Sequence, residues 1–314
     1  MERSRSRLEI PPAPVRTGAV RGARGETVKW GNLFVLVVSP VAAVAGVTAS
    51  VAAGDVRPVD LALFAAMLGA TGFAITAGYH RHYAHRSYDC HPLLAAFYLL
   101  FGAAALQNSA LRWASNHRYH HRYVDGEGDP HSIRRGWFWA FAGWAMVRPR
   151  RERSLSNVAD LARDPLVAWQ HRHYLWLAIL VGFGLPALVG VLAGRPGPAL
   201  LWGGLVRMVA LHHITFLFNL AGHTVGRQPH STRDSSRDSW WLPFLTFGEG
   251  HHNFHHTFPR DYRCGVAWYH WDPTKWWIGT LGALGLARRL RRVAAVGRRD
   301  VTGGAENGDH HGRP

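Results

Sequence analysis

The chain carries 21 histidines in 314 residues, and they fall in clusters. The first reads His80-Arg81-His82-Tyr83-Ala84-His85, the second Asn116-His117-Arg118-Tyr119-His120-His121. The third reads Gly248-Glu249-Gly250-His251-His252-Asn253-Phe254-His255-His256, and Asn219 stands four residues before His223. Imidazole is the commonest metal ligand among side chains, and it suits Fe, Zn, Cu and Ni alike. His117, His120 and His121 fall at i, i+3 and i+4, which puts three rings on one helical face, and His252, His255 and His256 repeat that spacing. Two such triplets facing each other supply more nitrogen than one ion can use, so the spacing points to two metals. His80 and His85 are five apart, about 140° round an α-helix, so that box needs the helix to end or unwind between them. One box alone is often surface decoration; three boxes plus Asn219 and His223 make that account a poor one. There is no pair of Glu-x-x-His motifs of the soluble di-iron bundles and no His-Glu-x-x-His zinc helix. A histidine-only site remains.

The elements that must hold these residues are apolar helices. Four stretches, Trp30–Ala53, about Pro58–Tyr79, about Tyr174–Ala193 and Ala199–Gly222, are long enough to cross a hydrocarbon core of about 30 Å at about 1.5 Å per residue. Short turns at Gly54–Arg57 and Gly194–Pro198 join them into two hairpins, which leaves residues 80–173 and 223–314 on the other face. Arg148, Arg150, Arg151, Arg153 and Arg172 lie on that larger face, so the positive-inside rule makes it cytoplasmic, with both termini. The segment His91–Trp113 is also apolar, but a fifth crossing would part the histidine clusters across the bilayer. It is expected to lie in or against the interface. The expected fold is therefore all-α and integral to the cell (plasma) membrane: four transmembrane helices in two hairpins under a cytosolic helical cap. Residues 29–295 form the single domain, 1–28 a disordered basic tail, and 296–314 a polar tail that includes His310-His311.

Composition agrees. Lysine and arginine number 36 against 20 acidic residues, a net charge of +16, almost all arginine because Lys29 and Lys275 are the only lysines. Charge alone does not choose between nucleic acid, a membrane surface and an acidic ligand. Fourteen tryptophans beside long apolar runs choose the membrane, and no nucleic-acid partner is expected. Cys90 and Cys264 make no disulfide framework.

In order and spacing, His-x4-His after the second apolar stretch, His-x2-His-His, and Gly-Glu-Gly-x-His-Asn-x-His-His preceded by Asn-x3-His resemble the membrane fatty acid desaturases, specifically a bacterial member of the acyl-CoA Δ9 (stearoyl-CoA) type. The similarity runs over most of residues 30–290. It implies a di-iron centre held by His80, His85, His117, His120, His121, His223, His252, His255 and His256, with Asn219 reaching one ion through water. His82 and His251 fall at non-ligand positions, and His212 and His213 are expected to line the pocket or support the ligands. Gln107, Trp113 and Thr215 match positions round the bend of the substrate chain. Asp129-Pro130-His131 and Arg134-Arg135-Gly136 match the stretch after the second box, with a structural or head-group role expected. Ser115-Asn116 departs from the Arg-Asp pair of the animal enzymes, which leaves the acyl carrier open between CoA, carrier protein and phospholipid.

The chemistry implied is O2-dependent desaturation of a long acyl chain. An unactivated methylene has no acidic proton, so acid–base catalysis cannot remove its hydrogens, and a metal centre must supply the oxidant. Electrons are expected from an external donor such as a ferredoxin and its reductase. A hydroxylase of the same superfamily is the nearest alternative, because both outcomes begin with the same hydrogen abstraction. A membrane metal-handling protein is the alternative of another class; such proteins place ligands at mid-bilayer on broken helices, whereas these ligands cluster at helix ends.

Overall fold

The computed structural model describes residues 26–148 and 154–293. Most of the basic N-terminal tail, the tail at 296–314 with His310-His311, and Arg150, Arg151 and Arg153 lie outside the described residues. In chain order the principal helices are α1 (Trp30–Ala52), α2 (Pro58–Ala84), α3 (Pro92–Ala104), α4 (Ala110–Tyr123), α5 (Pro165–Leu192), α6 (Pro196–Ala221), α7 (His252–Thr257) and α8 (Pro273–Ala283). The fold is mostly rather than wholly helical: β1 (Thr27–Val28) pairs antiparallel with β3 (Val147–Arg148), and β2 (Asp89–Cys90) with β4 (Ala287–Arg288).

Helices α1, α2, α5 and α6, with 23, 27, 28 and 26 residues, are long and apolar enough to cross a membrane. Large apolar side chains such as Phe34, Val41, Leu175 and Leu192 project from them unburied, an exposed apolar surface that in water would be an aggregation hazard and in lipid is the favoured state. Three boundaries differ from those expected. α2 runs five residues past Tyr79, α5 begins nine residues before Tyr174, and α6 begins at Pro196. Hydropathy marks where the apolar run begins, whereas the helix begins at its cap. Asp164 Oδ1 accepts from the N–H groups of Leu166 (2.9 Å) and Val167 (3.4 Å), with Pro165 in the first turn. The polar residues from Gln170 to His173 therefore continue a helix already started.

α1 lies against the 200–206 stretch of α6 rather than against its sequence neighbour α2. A side chain at Gly46 would come within 2.6 Å of Leu201. The two short turns meet at one end of the bundle, where Arg195 reaches Asp55 (2.9 Å) and Asp60 (2.7 Å). α3 has 13 residues, roughly 20 Å of helix and too short to span. It packs on the second half of α2 and on α5, burying Tyr98 and Leu99. A β-carbon on Gly78 would sit 2.6 Å from Tyr98, so only glycine lets α3 approach α2 this closely.

Candidate metal centre

At the end of the bundle opposite the turns, α2 changes its hydrogen bonding. From Ala74 to Ala84 it is a π-helix, and His85 N–H donates to the carbonyl of His80, five residues back, at 3.1 Å. The wider π turn brings residues five apart closer in angle than an α-helix does. The helix loosens from α to π geometry before His80 and ends at Ala84, with His85 as its C-cap, as the sequence spacing required. Both rings face the same way, with centroids 4.9 Å apart.

All nine expected ligands meet here, in two groups: His80, His85, His117, His121 and His255 in one, and His120, His223, His252 and His256 in the other. Neither triplet serves a single ion. His117 and His121 face the first group while His120 faces the second; His252 and His256 face the second while His255 faces the first. Consecutive helical residues point about 100° apart, so the i+3 and i+4 members of a triplet diverge to opposite halves. His223 follows α6 directly, and Gly222 before it leaves room for His252, whose ring would lie 2.9 Å from an added β-carbon.

Every close contact between the rings is Nε2 to Nε2: His80–His255 2.9 Å, His85–His117 2.8 Å, His121–His255 3.0 Å, His120–His223 3.2 Å, His120–His256 3.2 Å, His223–His252 3.0 Å and His252–His256 3.0 Å. Two of the rings have their tautomer set by a carboxylate on the other nitrogen: His80 Nδ1 lies 2.9 Å from Glu249 Oε2 and His120 Nδ1 2.9 Å from Asp129 Oδ1. Those Nδ1 atoms carry the proton, which leaves Nε2 a bare lone pair. Where neither Nε2 of a contact carries a proton, lone pairs converging at this spacing repel unless a cation lies between them. At a metal–imidazole distance of about 2.1 Å, ligands at right angles stand about 3 Å apart, the spacing found here. The donor set fits two metal ions.

Burial drives the imidazoles of His85, His117, His120, His121, His252, His255 and His256 well below the usual histidine range, with the neighbouring rings adding to the shift. Neutral imidazole is the form that binds metal. Burial alone would raise Glu249, but Arg81 and His80 bring its carboxyl down to about 2. Arg81, buried between ligand-bearing turns, holds Glu249 at 2.8 Å, Asp272 at 3.0 Å and the carbonyl of Tyr262 at 2.7 Å. Asp272 in turn caps α8 through Lys275 N–H at 2.8 Å. The spacing of the boxes assigned Glu249 and Asp129 no task. The signal available was a carboxylate placed three residues before His252 and one placed nine after His120.

The three residues expected at the substrate bend also meet. Trp113 Nε1 donates to Gln107 Oε1 (3.4 Å), Gln107 Nε2 donates to Thr215 Oγ1 (2.8 Å), and the Trp113 ring stacks on His117 with centroids 5.0 Å apart. Asn219 is buried on α6 one turn before His223, its amide without a hydrogen-bond partner among the described residues. His212 donates from Nε2 to the Ala105 carbonyl at 3.0 Å, and His213 from Nδ1 to its own helix at Val209; neither is bonded to a ligand histidine. His82 bonds the Tyr88 carbonyl and His251 stacks on His270, both outside the two groups. Ser115 is buried and donates to Asn157 Oδ1 at 2.8 Å. The two cysteines are unlinked.

Known proteins resemble this chain closely. "Acyl-CoA desaturase 1" of Saccharomyces cerevisiae is 40% identical over 225 residues, 71% of this chain and 44% of the yeast protein. "Stearoyl-CoA desaturase 5" of Bos taurus is 34% identical over 291 residues, 87% of this chain and 83% of its own. A Delta(9)-fatty-acid desaturase of Caenorhabditis elegans is 35% identical over 230 residues, 71% and 68% of the two chains. The chain spans about half the length of the two yeast relatives it matches, 44% and 46%. Residues 59–288 match the family described as fatty acid desaturase, a range that holds every histidine of both groups. With its long apolar helices and its two histidine groups, the chain belongs to the fatty acid desaturase family.

Proposed function

We propose that this protein is an O2-dependent desaturase of long-chain fatty acyl thioesters, of the Δ9 type, working with two irons in the domain over residues 29–295. The observation that carries the proposal is the convergence of nine imidazoles into a group of five and a group of four, with Trp113 stacked on one of them. In this reading α1/α2 and α5/α6 are two membrane hairpins whose turns, tied by Arg195, lie at the far face. The histidine end and the segments round it form a cap on the cytoplasmic side of the plasma membrane.

Bound irons would supply, with O2 and two electrons from a donor such as a ferredoxin and its reductase, the oxidising power to take one hydrogen from each of two adjacent carbons. The protein's own part is position. His80, His85, His117, His121 and His255 would hold one ion. His120, His223, His252 and His256 would hold the other, with Asn219 reaching it through water. Trp113, fixed by Gln107 and by its stack on His117, gives the acyl chain a flat wall beside the first group. Gln107 and Thr215 bond each other and so present no free polar group to a hydrocarbon.

In this reading the acyl carrier docks at the start of α1. A polar cavity of about 360 Å³ opens at the start of α1, lined by Thr27, Lys29, Trp30, Asn32 and Arg148 among others. Two cations beside the first turn of a helix favour phosphate, as on the CoA of an acyl thioester. Ser115 is buried and bonded to Asn157.

Expression in a host of known lipid profile, followed by gas chromatography–mass spectrometry of its fatty acids, tests the proposal. A new monoene that disappears in His120→Ala and in His255→Ala is expected. A new hydroxy acid in its place would overturn desaturation and leave the metal site standing.

A further inference from the structure

The two histidine groups are alike in ligand type and unlike in what stands behind the ligands. On the five-histidine side, one carboxylate among the described residues reaches an imidazole: Glu249, 2.9 Å from His80 Nδ1. Its charge is answered at once by Arg81, 2.8 Å away, which also pairs with Asp272 at 3.0 Å.

The four-histidine side is backed by three carboxylates. Asp129 Oδ1 lies 2.9 Å from His120 Nδ1, and Asp234 Oδ2 lies 3.8 Å from His256 Nδ1. His223 Nδ1 sits 2.8 Å from Ser235 Oγ, which donates onward to Asp125 Oδ1 at 2.7 Å. Backbone N–H groups fix these acids: those of Asp125 and His131 on Asp129, and that of Ser235 on Asp125. Among the described residues no arginine or lysine pairs with any of the three.

We infer that the two metal positions are electrostatically unequal, the four-histidine position being built to carry the larger positive charge, with Asp129, Asp234 and the Asp125–Ser235 pair as its positioning residues. The inference rests on the two-iron reading above. A carboxylate that accepts the proton of Nδ1 makes Nε2 a stronger donor to the metal. An anion left uncancelled nearby favours the more cationic state of the ion. When the reduced pair loses one electron to an external acceptor, one Fe2+ becomes Fe3+ and the other stays Fe2+. The Fe3+ belongs at the four-histidine position.

The test is Mössbauer spectroscopy of the full chain, in detergent, loaded with isotopically enriched iron and fully reduced. Asp129→Asn and Ser235→Ala are expected to shift the same one of two ferrous doublets, and Glu249→Gln the other. Substoichiometric ferricyanide, which takes one electron and becomes ferrocyanide, should then bleach first the doublet that Asp129→Asn shifts. Bleaching first at the doublet that Glu249→Gln shifts, or equally at both, would overturn the inference. So would Asp129→Asn and Ser235→Ala acting on different doublets. If Asp129→Asn does not fold, Ser235→Ala alone carries the assignment, because it removes one hydroxyl and no charge. Fewer than two irons per wild-type chain would instead remove the two-iron reading itself, a result visible before any variant is made.

Discussion

An arginine pins the helix bundle at each end, and the two pins differ in kind. At the turn end Arg195 joins Asp55 and Asp60, with Asp55 exposed, Arg195 part-buried and Asp60 buried. At the histidine end Arg81 is buried to 1% exposure between Glu249, Asp272 and the Tyr262 carbonyl. The first pin fixes two turns against each other and is weakened by solvent. The second is part of the site: through Glu249 it orients His80, and through Asp272 it sets the start of α8. A buried ion network gains little when formed but is costly to break, since removing one member leaves uncompensated charge inside. The molecule spends its costly electrostatics where geometry matters to the metals.

The largest expected effect comes from breaking the buried pin. Arg81→Met leaves Glu249 and Asp272 without their cation and should cost about 3–5 kcal/mol, read as thermal unfolding in detergent, with bound metal lost as His80 is freed. Wild-type stability and metal content in that variant would show that the buried network holds nothing.

Acid sharpens the comparison next. The seven imidazoles that burial holds well below the usual range resist protonation when folded and accept protons when unfolded. Their contribution is therefore fully present above about pH 6.5 and declines as pH falls below that unfolded value. Glu249, held at about 2, contributes stability above the ordinary glutamate value of about 4.3 and loses it as pH falls toward its folded value. Unfolding followed across a pH series should show two successive losses, the first of them arising at the histidine end, since among the described residues no histidine pairs with Asp55, Asp60 or Arg195. A single loss confined to pH below about 4.3 would contradict the assignment of neutral, buried imidazoles.

The smallest effect is expected at the turn-end pin. Arg195→Gln should lower the unfolding temperature slightly, less at high salt, and leave the metal content unchanged. Asp60 keeps the N–H of Arg57 at 2.9 Å as a partner. A large loss of metal in Arg195→Gln would mean that the two ends are coupled through the helices.

Much of this was legible in advance, for reasons that can be named. The apolar runs marked all four long helices, because lipid-facing side chains must be apolar along the whole crossing. The i, i+3, i+4 spacing singled out the second and third histidine boxes, because residues so spaced share a helical face. Helix starts were less legible: the Asp164-Pro165 cap launches α5 through Gln170, His171, Arg172 and His173, which hydropathy excluded. The π-helix over Ala74–Ala84 was legible only as the need for the helix to end or unwind between His80 and His85; its extent, along the stretch that packs on α3, was not. Glu249 was visible as part of Gly248-Glu249-Gly250, and Asp129 beside Pro130, but nothing in their spacing tied them to His80 and His120.

By itself the sequence determined which residues carry nitrogen, how those on one helix are angled to each other, and which helices are fit for lipid. Only the tertiary structure decided how nine histidines divide into five and four, and which nitrogen of each ring faces inward. It alone decided that the acids gather behind one group while an arginine neutralises the acid behind the other. Spacing fixes angles within a helix. Which group each side chain joins depends on how closely the helices approach, and contacts such as Gly78 on Tyr98, between α2 and α3, and Gly222 on His252, between the end of α6 and α7, set that approach.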